Sequence, residues 1–118
     1  MSAMTYRQAI ALADSIQADT ASYIPLYSGL AATYTTLRDF EQSRIWWEKC
    51  GRLWPLMTVY DRFNYLNSLG NDYFYQKDYP QALETFLRLD TFLLDYPDME
   101  WEHHFCQANL SDIYLKLH

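Results

Sequence analysis

The chain has 118 residues, 50% of them hydrophobic and 18% aromatic, which is enough for one packed core and too apolar for a disordered tail. A formal charge of −6, with 9 Lys and Arg scattered singly, leaves no basic surface that could displace counterions from a nucleic acid. No apolar run reaches the length of a bilayer span, so membrane insertion is not expected.

In chain order, the first predicted helix covers about 5–19 and opens on Thr5-Tyr-Arg-Gln-Ala-Ile-Ala-Leu-Ala13. Closely related phrases recur as Asp39-Phe-Glu-Gln-Ser-Arg-Ile-Trp-Trp47 and Asp78-Tyr-Pro-Gln-Ala-Leu-Glu-Thr-Phe86. In each, the first residue can accept a hydrogen bond from an orphan amide of a helix's first turn. The Gln three places on (Gln8, Gln42, Gln81) can reach back to the cap's own amide. Pro80 fits the same reading, because a first-turn proline loses no intrahelical hydrogen bond.

The second predicted helix, 22–37, carries Leu30-Ala31-x-x-Tyr34; the third, 39–54, starts at the Asp39 phrase. The fourth, 58–76, repeats the earlier pattern as Leu69-Gly70-x-x-Tyr73, and the fifth, 78–95, starts at the Asp78 phrase. The sixth, 99–117, carries a third copy, Leu110-Ser111-x-x-Tyr114. The apolar residues recur three or four apart, one face of a helix, and the small residue beside each Leu lets a neighbour approach closely. Tyr34, Tyr73 and Tyr114, with Trp47 and Phe86, are therefore expected in the core, as are the two thiols, Cys50 and Cys106.

The anchors are regular: Thr5 to Asp39 and Asp39 to Asp78 are steps of 34 and 39 residues, and Tyr34 to Tyr73 to Tyr114 are steps of 39 and 41. The pattern resembles the tetratricopeptide repeat, whose period is about 34 residues. Leu30, Ala31, Tyr34, Phe40, Ser43, Trp47, Cys50 and Pro55 match the signature of one unit. Leu69, Gly70, Tyr73, Tyr79, Ala82, Phe86 and Leu89 match that of the next. The chain departs from the family in its longer repeats, in the bulk of Trp47, and in Pro97, three residues later than the matching proline.

The resemblance implies an all-α fold, an antiparallel helix-hairpin α-solenoid. With the two helices of a unit called A and B, six helices follow in the order B, A-B, A-B, A. One domain would comprise a partial repeat 5–21, repeats 22–57 and 58–97, and a partial repeat 98–118. It also implies a segment of a larger bacterial regulator or scaffold that binds a protein or peptide on the wall lined by the A helices. The cytoplasm is favoured as its compartment.

By that resemblance the groove positions are Asn64, Asn67, Asn71 and Phe74 on the middle A helix, Ser28, Ala32 and Thr35 on the earlier one, and Ala108 and Asp112 on the last. The amides of Asn64, Asn67 and Asn71 share a helical stripe and could pair with any peptide backbone. A clamp for a terminal carboxylate is not expected, because Ser28, Ala32, Ala108 and Asp112 stand where such clamps carry cations.

The alternative is self-association. The last helix is apolar on several sides, and Trp101, Phe105, Ile113 and Leu117 could pair with a second copy in a homodimer. Glu100-Trp-Glu-His-His-Phe-Cys106 puts His103 and Cys106 one turn apart, but matches no ligand spacing. Its glutamates suit the positive start of a helix. No metal or cofactor is expected. No nucleophile elbow, phosphate-binding glycine loop or HExxH occurs, and no enzymatic activity is expected.

Overall fold

Asp39 and Asp78 each begin a helix. In the computed structural model, which describes residues 2–118, their carboxylates accept from Gln42 N at 3.2 Å and Gln81 N at 3.3 Å. Six α-helices result: α1 (Ala3–Ser15), α2 (Tyr23–Thr36), α3 (Phe40–Gly51), α4 (Val59–Tyr75), α5 (Tyr79–Leu93) and α6 (Glu100–Leu117). Short 3-10 turns precede α2 and follow α3, and no strand occurs among the described residues. No described helix is long and apolar enough to cross a membrane.

The first phrase behaves differently. Ser2, not Thr5, caps α1, and Thr5 stands one turn inside, donating its amide to Ser2 Oγ at 3.2 Å. Either hydroxyl can cap, and the one that stands at the helix's actual start does so. A further cap went unforeseen at α4, where Thr58 and Asp61 exchange side-chain-to-amide hydrogen bonds of 3.1 and 3.2 Å, a capping box.

The joints before α3 and α5 share one geometry. Arg38 N donates to Thr35 O and Asp39 N to Tyr34 O; Lys77 N donates to Phe74 O and Asp78 N to Tyr73 O. Arg38 and Lys77 lie at φ 64° and 65°, the left-handed residue of a Schellman ending. The amide of each cap is thus taken by the preceding helix, which leaves it no role for Gln42 or Gln81 to fill. Asp39 and Asp78 thus each complete the ending of one helix and cap the next, with three residues between the helices.

The chain forms two compact units, the first ending at Tyr65 within α4 and the second running Leu66–His118. In the first, α2 packs on both α1 and α3 around Ile24, Leu30, Ala31, Trp47 and Cys50. Tyr34 is only half-buried: its hydroxyl accepts from Arg7 Nε and Nη2 at 3.0 and 2.9 Å. The Arg7 guanidinium also lies 5.4 Å from the Trp46 ring, and Lys49 Nζ lies 5.0 Å from the same ring.

In the second unit, α5 packs on α6 around Leu66, Phe86, Leu89, Leu93, Cys106, Leu110 and Ile113. Gly70 is needed here for space, because a Cβ on it would stand 2.6 Å from the Phe86 ring. The expected core tyrosines are corrected in part. Tyr73 is half-buried, whereas Tyr114 is 44% exposed and Ser111, one turn before it, is open.

Candidate functional site

The second unit contains a cleft of about 150 Å³ lined by Asn71, Phe74, Tyr75, Phe86, Asn109 and Asp112. Each wall follows from local sequence. Asn71 and Phe74 are three apart on α4 and so share a face, as Asn109 and Asp112 do on α6. Phe86 reaches the cleft because Gly70 has no side chain to exclude its ring. Phe74 is held by edge contacts to Tyr75 and Tyr79, with ring centroids 6.3 and 5.5 Å apart.

The polar groups are unequally occupied. Asn109 Nδ2 donates to Asn67 Oδ1 at 3.3 Å, which ties α6 to α4 beside the cleft. The Asn71 amide and the Asp112 carboxylate make no hydrogen bond or ion pair among the described residues. The cleft therefore offers an uncommitted amide, an uncommitted anion and three aromatic rings.

Of the nine expected groove residues, three line this cleft: Asn71, Phe74 and Asp112. Asn67 adjoins it through Asn109. Asn64 is exposed in the first unit and Ala108 is exposed on α6. In the first unit Ala32 is exposed, and Ser28 is half-buried with its hydroxyl donating to Pro25 O at 3.3 Å. Thr35 must be corrected. It is buried, its hydroxyl donates to Ala31 O at 3.0 Å and accepts from Trp47 Nε1 at 3.4 Å, so it presents nothing to a partner. The residue missed was Asn109, whose signal was available in its place one turn before Asp112.

The proposed dimer residues divide similarly. Trp101 is 75% exposed and Phe105 56%, and Leu117 is also exposed. Ile113 is wholly buried, because its side of α6 is the one that packs inward, and it is unavailable to a second copy.

The acidic, histidine-bearing start of α6 comes apart chemically. Glu100, Trp101 and His104 line an open depression. A ring nitrogen of His103, Nε2, lies 3.2 Å from Tyr96 O. Cys106 is buried and donates to Phe86 O at 3.4 Å, and burial, with Asp90 nearby, pushes its thiol up to about 12. A thiol held protonated is a poor metal ligand at neutral pH. No group of three or more His, Cys, Asp or Glu able to hold a metal occurs among the described residues.

No family model, curated protein or solved structure matches this chain.

Proposed function

We propose that the chain is a peptide-binding module of helix-hairpin repeats, of the tetratricopeptide kind, serving as a scaffold or sensing segment of a larger regulator. The observation that carries this reading is the convergence of Asn71, Phe74 and Asp112, three of the positions expected to face a partner, on one cleft. The near-identity of the joints at 34–39 and 73–78 supports the repeat.

The mechanism is preorganisation. Phe74 is braced by two aromatic neighbours and Asn109 by Asn67, so a bound segment would order few protein side chains and incur little entropic cost. The cleft is smaller than the roughly 300–1,000 Å³ typical of drug-sized ligands. It suits one side chain of an extended peptide, with the free Asn71 amide left to pair with the peptide backbone.

The test is retention of a randomised peptide library by the immobilised chain. The wild type retains a subset, and Asn71→Ala releases it without a change in melting temperature. Peptides that bind equally well to Asn71→Ala and Phe74→Ala would move recognition away from this cleft.

A second reading is favoured by the exposure of Trp101, Phe105 and Leu115 on one side of α6, spaced four and ten residues apart. Each large apolar side chain removed from water contributes about 1.5–3 kcal/mol, so pairing of two α6 helices is favourable. Sedimentation distinguishes the readings: a dimer that Phe105→Glu dissociates supports self-association, and a monomer at high concentration removes it.

A further inference from the structure

We propose that the α4–α5–α6 cleft accepts a cationic side chain, an ammonium or guanidinium group carried by the partner peptide. This rests on the peptide-binding reading and adds the chemistry of the residue that the cleft selects.

Three features of the cleft converge on a cation. Asp112 supplies a full negative charge with no partner among the described residues. The rings of Phe74, Tyr75 and Phe86 line the cleft, and aromatic rings attract positive charge to their faces. Asn71 and Asn109 supply carbonyl oxygens as further acceptors. No Lys, Arg or His is among the lining residues, and Lys116, one turn beyond Asp112, makes no ion pair with it.

The alternatives fit less well. A carboxylate or phosphate would meet Asp112 at close range without a neutralising cation. An apolar side chain would cover Asp112 and strip its water without supplying a hydrogen bond, a cost that a cation avoids. A Lys or Arg side chain can lay its apolar stem along the rings and carry its charged head to the carboxylate, matching both halves of the lining. The formal charge of −6 adds a long-range attraction for a basic segment.

The test uses the whole chain, immobilised, against a randomised library of short peptides with blocked termini. Retained peptides are expected to carry Lys or Arg at one fixed position. Exchanging that residue for norleucine, which keeps the stem and removes the charge, should weaken binding about tenfold. Asp112→Asn should lose a similar factor and become indifferent to the norleucine exchange, while Asp95→Asn, exposed and outside the cleft, binds as the wild type does. Because Asp112 is exposed and unpartnered, its variant keeps the fold, which an unchanged melting temperature verifies. Retained peptides without a fixed basic position, or equal binding to Asp112→Asn, overturn the cation and leave peptide binding standing. If no peptide is retained, both readings fall.

Discussion

The joint between α2 and α3 and the joint between α4 and α5 are the same backbone object with different contents. Both have a left-handed basic residue followed by an Asp cap, and in both the cap's amide donates to the tyrosine carbonyl five residues earlier. What differs is the residue after the tyrosine and the large ring on the following helix. In the first joint these are Thr35 and Trp47, and the indole N–H reaches the threonine hydroxyl and seals it from water. In the second they are Phe74 and Phe86. A phenyl ring has no donor to hydrogen-bond across the joint, and both residues line a cleft. Two joints with the same backbone thus differ in what a pair of side chains leaves beside them, a sealed hydroxyl in one and an open cleft in the other.

The largest effect that tests this comparison is expected from Trp47→Phe. Loss of the indole leaves a void and removes one partner of Thr35, lowering unfolding free energy by about 2 kcal/mol in chemical denaturation. An unchanged midpoint would show that the indole does not seal the first joint. The converse change, Phe86→Trp, crowds the ring against Gly70 and costs about 1–3 kcal/mol. It should also fill the cleft and abolish peptide retention; retention that survives would mean that Phe86 does not shape the site.

The two caps should respond alike. Asp39→Ala and Asp78→Ala each lose a carboxylate-to-amide hydrogen bond at a helix start, worth about 1 kcal/mol. A twofold or greater disparity between them would break the equivalence of the joints. Lys77→Gly and Arg38→Gly act in the other direction, relieving a side chain from positive φ and raising stability by about 0.5–1 kcal/mol. Thermal unfolding of the four single variants measures both pairs.

The smallest effect near neutral pH concerns the thiols, one buried in each unit. Cys50 and Cys106 are both pushed up to about 12, chiefly by burial and secondarily by Asp61 and Asp90 respectively. A raised folded pKa means that the native state holds its proton longer than the unfolded chain. The associated stability is complete below the ordinary thiol value of about 9 and is lost as pH rises toward 12. Stability should therefore be insensitive to these groups at pH 7 and fall through that alkaline window. A disulfide-exchange reagent should titrate neither thiol at pH 8 until denaturant is added; rapid reaction in the native protein would contradict their burial.

Much of the fold was legible because caps and helical periodicity are local. Asp39 and Asp78 announce helix starts through carboxylates that need only the next three residues, and all six helices lie within a few residues of their expected bounds. Failures arose where a neighbour decided the outcome. Ser2 displaced Thr5 as a cap because both are equally competent and only the path of the chain chooses. Tyr114 shares a signature with Tyr34 and Tyr73, yet it is exposed where they are half-buried.

The site shows the same division. Periodicity put Asn64, Asn67 and Asn71 on one stripe of a helix, and the repeat resemblance pointed to Phe74 and Asp112. Burial could not be read that way, because Thr35 carries the same polar group whether it faces solvent or an indole. Sequence by itself determined which residues start helices and which lie together along each helix, since both follow from bonding within a turn or two. Only tertiary structure decided that Phe86 enters the space left by Gly70, that Trp47 covers Thr35, and that Asn109 joins Asn71 and Asp112, because each is a contact between helices and depends on the volume available there.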